Sequence, residues 1–216
     1  MRISAALFLS IGLSIQLQAQ SGEPPRFAQS IPIPTGRAED SYAIHSQLLT
    51  GGPIEWRDAK RRQWLINDTA RALPLDQACD PGSKDEPTRM NPHRSVVAPE
   101  ERQTEWNEVL ADFDEHCHDV VRLDRSSFKT KLPIHLLDAD DQKRFRENPL
   151  GPPEGFADGA GLHSFSEVFF NRTHTLALVS QSMWCGMLCA SWTWVALERR
   201  EGHWEQLPWV RTSVIS

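Results

Sequence analysis

Three groups of residues in this chain could do chemistry. His163, Glu167 and His174 have the residue types of a metal-assisted hydrolytic site, since two imidazoles and a carboxylate can hold one ion and leave a coordination position for water. If His163 to Asn171 (HSFSEVFFN) is one strand, the first two share a face but sit roughly 13 Å apart, too far for one ion without a bulge. His174 lies just past the turn that follows. The carboxylates Glu105, Glu108, Asp112 and Glu115 line one side of a helix and read as a solvated face. Asp138, Asp140 and Asp141 lack the length and the glycine of a calcium loop, and read as helix-start acids. No stretch matches a serine-hydrolase elbow, an HExxH helix, a Walker loop or a dinucleotide fingerprint. No catalytic residue is therefore assigned. A small periplasmic hydrolase, metal-assisted through His163, Glu167 and His174 or using residues that match no known motif, is the alternative reading of function.

The second group is sulfur. Cys79, Cys117, Cys185 and Cys189 form an even set whose three connectivities sequence cannot separate; Cys79 with Cys117 and Cys185 with Cys189 is the preferred pairing. The first bridge closes a loop of about 39 residues, worth roughly 4 kcal/mol, and the second about five, worth roughly 2 kcal/mol. Zinc held by the CxxxC pair and the triplet His116-Cys117-His118 is the competing reading. Thiol sites of that kind belong more often to reducing compartments, so no metal or other cofactor is expected. On a continuing helix His116 and His118 diverge by about 200° and make poor partners for one ion. A Cys117 nucleophile beside either histidine is opposed by the inward stripe on which that cysteine lies.

The third group is tryptophan: eight in all, against a single Tyr42. Five of them (184, 192, 194, 204, 209) fall near the C-terminus. Trp184, Trp192 and Trp194 are the binding candidates, because an indole offers a large apolar face and one N–H donor to a sugar ring or an apolar peptide. Filling the seam between sheet and helices is the competing use.

The elements that must position these groups follow from pattern. Residues 20–39 hold four prolines and read as an extended leader, with Asp40 capping a short helix through Ile44, Leu48 and Leu49 until Gly51-Gly52-Pro53. QWLINDT (63–69) has strand character, and 74–99 is a proline-rich loop. Trp106, Val109, Leu110, Phe113 and Cys117 form a single apolar stripe on a helix from about Pro99 to Cys117. Leu132 to Leu137 reads as a strand, Asp138 as the cap of a helix that turns Phe145 inward, and 148–161 as a loop. Four strand-like runs follow, at 163–171, 175–181, 191–199 and 203–210, joined by connections short enough to imply an antiparallel meander. Pro208 marks the last as an edge or bulged strand. The expected fold is α+β: a C-terminal four-stranded antiparallel meander packed on one face against two or three helices, with short strands added from the N-terminal half.

The N-terminus bears on all of this. Met1-Arg2, the apolar stretch Ile3 to Ile15 and the Leu17-Gln18-Ala19 end have the form of a secretory signal peptide over residues 1–19, which predicts an exported, periplasmic or secreted protein and one domain over 40–216. The stretch is too short to span a bilayer and no cysteine follows the cut, so no membrane anchor is expected. The formal charge of −6, one unit more negative without Arg2, argues against nucleic acid. The expected partner is a protein, peptide or glycan held without catalysis by the tryptophan-rich sheet and the disulfide-shaped loop.

The runs FSEVFFN, THTLALV, CGMLCASWTWVALER and EGHW resemble a group of uncharacterised exported bacterial proteins with a C-terminal pattern of roughly "SxVGFN, ALVY, CGxLCG, VLLEK, GxW". YAIHSQLL and WLINDTA resemble that group's "YxxYSxLL" and "LxIxDxT". The chain departs from the pattern at Phe169 and at Ala190-Ser191-Trp192. The resemblance implies a shared fold and export, and no activity.

Overall fold

The computed structural model describes residues 30–50, 62–73, 79, 91–148, 155–159, 161–186, 190–210 and 214–215. The expected signal segment, residues 20–29 of the expected leader, the Gly51-Gly52-Pro53 stop, most of the loop at 74–90 and Cys189 lie outside them.

The chain is α+β. Strand β1 (Ile31–Pro32) and helix α1 (Thr35–Thr50) open it, so the expected leader gives way to structure before Asp40. The first turn of α1 forms because the Pro34 carbonyl accepts from Arg37 N and Ala38 N; proline lacks a donor but keeps an acceptor that can start a helix. β2 (Trp64–Asn67) and β3 (Thr69–Ala70) follow, then the short α2 (Pro92–Ser95) and α3 (Gln103–His116). β4 (Val121–Arg122) and β5 (Ile134–Leu137) lead to α4 (Ala139–Glu147), whose N-cap Asp138 accepts from Asp141 N at 2.9 Å, as the acidic cap predicts. The last third is β6 (Leu162–Phe165), β7 (Phe169–Phe170), β8 (Leu176–Trp184), β9 (Ala190–Arg200), β10 (His203–Leu207) and β11 (Val214–Ile215).

The main sheet runs β10-β9-β8-β6-β2-β5, with β11 on β9 and β7 on β8. From β10 to β6 it is the expected antiparallel meander, with β10 at the edge; β2 and β5 extend it in parallel. β1, β4 and β3 make a small second sheet.

Helices cover both faces of the main sheet, where one face was expected. Trp106, Val109, Leu110 and Phe113 of α3 pack with Leu176, Leu178, Trp194 and Ala196, and Ile44 of α1 packs with Ala177, Val179, Val195 and Leu197. The reason is in the run itself: Trp194, Val195, Ala196 and Leu197 are all at most 1 % exposed, so the centre of β9 alternates between two dry sides. A continuous apolar run of this kind signals burial on both faces.

The expected single strand at 163–171 is broken by a bulge. Phe165 sits opposite Gln181 and Phe169 opposite Leu178, so four steps on one strand match three on its partner. Ser166 makes the irregularity satisfiable: its Oγ accepts from Ser180 N at 2.8 Å and donates to the Glu167 carbonyl at 2.6 Å. The extra residue turns Phe165 toward the cluster around Tyr42 and Phe169 toward α3.

His45 of α1 is fully buried, stacked on Phe165 at 4.7 Å, and its Nε2–H donates to the Ser166 carbonyl at 3.1 Å. Its Nδ1 is buried with no hydrogen-bond partner among the described residues. Burial lowers its pKa from 6.5 to about 4, against a smaller opposing effect of the Ser166 carbonyl. The unfolded chain therefore binds the proton first, and the His45 contribution is fully present above pH 6.5 and lost as pH falls through 4, on the order of 3 kcal/mol in total. Urea unfolding between pH 7.5 and 4.5 checks this. The wild type is expected to lose roughly 2 kcal/mol more by pH 5 than His45→Gln, which keeps a donor toward Ser166 without a titrating ring; equal pH slopes would remove His45 as the cause.

Candidate functional site

A groove of about 430 Å³ opens on the α3-facing side of the main sheet, beyond the end of the buried centre, and Trp184 and Trp192 line it together with Ser164, Ser182 and Arg146. Register explains the gathering. Ser164, Ser182 and Trp192 stand opposite one another across β6, β8 and β9, and Trp184 lies two residues further along β8 on the same face, opposite Ala190. The floor thus has Ser182 adjoining both indoles and Ser164 next to it on β6, with one guanidinium from α4 at the rim. Both indoles are half-buried.

Each is held from behind. Trp184 meets Phe145 of α4 edge to face at 5.6 Å, and Trp192 meets Trp194 edge to face at 5.7 Å. Trp194 in turn lies against Phe113 at 5.6 Å and has no exposure at all. That corrects its expected role: a side chain with no surface cannot touch a ligand, and Trp194 supports Trp192 instead. Asn67 Nδ2 donates to Ser164 Oγ at 2.6 Å and orients that hydroxyl. Trp204 and Trp209 are buried, so the C-terminal tryptophans divide between core and groove.

The hydrolytic candidates go to different surroundings. His163 meets Trp64 edge to face at 5.2 Å. Glu167 is 2 % exposed at the bulge, and His174 stacks on Phe170 at 4.5 Å with Asp40 at 3.5 Å from its Nδ1. The bulge breaks the shared strand face that sequence assigned to His163 and Glu167.

What sequence reasoning missed is the charge network around Glu167. Arg37 Nη1 lies 3.4 Å from Glu167 Oε1, while its Nη2 donates to Asp112 Oδ2 at 2.5 Å and to the Val168 carbonyl at 2.7 Å. Asp112 Oδ2 also accepts from Phe170 N at 2.7 Å, and His116 stands between Asp112 (3.7 Å) and Asp119 (2.9 Å). Burial pushes the Glu167 carboxyl up, and the charges of Arg37 and His116 partly offset this. Sequence places Arg37 in the leader and Asp112 in a solvated row; only the fold unites them. The single available signal was one arginine three residues past Pro34. A second groove of about 570 Å³ lies outside this network, lined by Arg37, Asp112, Phe170 and His174 among others. Arg37, Asp112 and Glu167 engage one another and backbone groups, with Arg37 Nε and Glu167 Oε2 left buried and without a hydrogen-bond partner among the described residues, which suits a clasp that fixes the bulge between α1 and α3.

Of the sulfurs, Cys79 and Cys117 are bonded, as preferred, with their Cα atoms 6.1 Å apart. Cys185 is also in a disulfide, while Cys189 lies outside the described residues. No protein-family model, curated protein or solved structure matches the chain.

Proposed function

We propose that this is an exported, non-catalytic binding domain whose Trp184–Trp192 groove holds a glycan. The observation that carries the reading is the pair of half-buried indoles on one sheet face with the Ser164 and Ser182 hydroxyls beside them. A sugar ring has an apolar C–H face and a polar hydroxyl rim, and that floor matches both. A peptide added as a strand would need an open sheet edge, whereas β6, β8 and β9 are paired with one another along the groove. Edge-to-face support from Phe145 and Trp194 holds the indoles in place before binding, which lowers the ordering cost. Export is supported by the signal-like N-terminus and by the Cys79–Cys117 bridge. Among the described residues no helix is long and apolar enough to cross a membrane.

The test is fluorescence titration with soluble β-linked hexose and N-acetylhexosamine oligomers. Binding is expected to shift and quench the tryptophan emission. Trp192→Ala and Trp184→Ala are each expected to weaken it by about 2 kcal/mol, roughly thirtyfold in Kd, with Glu205→Ala on the edge strand unchanged. If no oligomer perturbs the emission, or the two alanine variants bind as the wild type does, the groove is not a glycan site. Cleavage of the oligomers by the wild type and not by Glu167→Gln would instead support a hydrolase.

A further inference from the structure

We infer that Cys79, Cys117 and His118 form a redox-gated site for a thiophilic cation, closed as a disulfide when oxidised and able to hold zinc when reduced. This is independent of the glycan reading. Both sulfurs and one ring nitrogen of His118 lie within 4.8 Å of one another. His118 Nδ1 is buried and has no hydrogen-bond partner among the described residues. An imidazole nitrogen enclosed in that way lacks the donor or cation that would normally satisfy it.

The triplet His116-Cys117-His118 separates at the end of α3. His116 turns to Asp112 and Asp119, whereas Cys117, at the C-cap and 1 % exposed, faces the core with His118 beside the sulfurs. Backbone contacts hold the two cysteines independently of their S–S bond: Leu73 N donates to the Cys117 carbonyl at 3.2 Å, and Asn91 Nδ2 to the Cys79 carbonyl at 3.4 Å. Each cysteine thus has a contact that does not depend on the bond. Cys79 is the half-buried partner of the bridge and Cys117 the buried one.

The steps balance. A dithiol reductant passes two electrons and two protons to the bridge, becoming a disulfide itself and leaving two protein thiols. A divalent zinc ion then displaces both thiol protons and binds two thiolates and the His118 nitrogen, with a fourth position left for water. The ion would close the loop that the disulfide closed.

The experiment uses the full chain in a Cys185→Ser/Cys189→Ser background, so that reduction frees only Cys79 and Cys117. After reduction by a phosphine and anaerobic desalting, cobalt(II) is expected to bind at one equivalent with a sulfur-to-cobalt charge-transfer band and the strong visible bands of a tetrahedral site, and zinc to abolish both. His118→Ala and His118→Gln are each expected to lower cobalt affinity at least tenfold while both thiols still titrate. Zinc should also raise the melting temperature of the reduced protein and not of the oxidised one. If that background does not fold, reduced wild-type protein replaces it, and the His118 dependence is the deciding readout. Absence of the charge-transfer band, equal cobalt affinity in the His118 variants, or a reduced protein that stays unfolded with zinc present would each overturn the inference.

Discussion

Replacing Arg37 with methionine is expected to lower the unfolding free energy by about 3 to 5 kcal/mol, as loss of one partner from a buried ion cluster typically does. Methionine keeps the apolar stem near Phe170 and removes the guanidinium, with its charge, its donors and its place over that ring at 5.6 Å. Glu167 is then left 2 % exposed with its main counter-charge gone, and Asp112 keeps only the Phe170 amide and the more distant His116. The effect must depend on pH. Burial already raises the Glu167 pKa, and Arg37 is the largest influence holding it down, so the variant raises it further. An acid whose folded pKa exceeds its unfolded one contributes fully below the unfolded value and loses that contribution as pH rises through the folded value. The deficit of Arg37→Met should therefore be larger at pH 8 than at pH 5. Adding Glu167→Gln should recover part of it at pH 8, a coupling that a double-mutant cycle by urea unfolding measures. A deficit below about 1 kcal/mol, or one that is the same at both pH values, would mean that the network contributes little to stability.

The legible and illegible parts of this molecule differ in how local their causes are. The α3 stripe from Trp106 to Phe113, the Asp138 cap and the strands β8 to β10 follow from periodicity and capping within a few residues, and all appear in the fold. The parallel additions β2 and β5 depend on partners some 70 residues apart, which no local pattern encodes. Sequence names Trp184, Trp192 and Trp194 from residue type and strand alternation, but cannot show that β9 centres on Trp194 and buries it, because that depends on where α3 docks. Glu167 was named for a shared face with His163 that the bulge abolishes. A bulge is one inserted residue in a pairing register, visible only once the partner strand is known. Arg37 and Asp112 are 75 residues apart, and nothing in the neighbourhood of either suggests the other.

Removing the Cys79–Cys117 bridge is expected to lower stability by about 4 kcal/mol, since a cross-link 38 residues apart restricts the unfolded chain. That is a large share of the roughly 5 to 15 kcal/mol that holds a domain folded. For a chain of this length it corresponds to a fall of roughly 10 °C in Tm. The suitable variant is the double alanine. Cys117 is 1 % exposed in the cluster around Trp106 and Phe113, and a serine hydroxyl there would add an unpaired buried polar group to the result. If the effect acts through the unfolded state, the variant should also show a steeper dependence on urea, because its unfolded chain can expand further and expose more surface. Loss of native contacts alone lowers the midpoint with the slope unchanged. The two measurements together separate a clasp that confines the unfolded chain from a pair of sulfurs that only fill space at the end of α3, and a Tm within about 3 °C of the wild type would exclude the first.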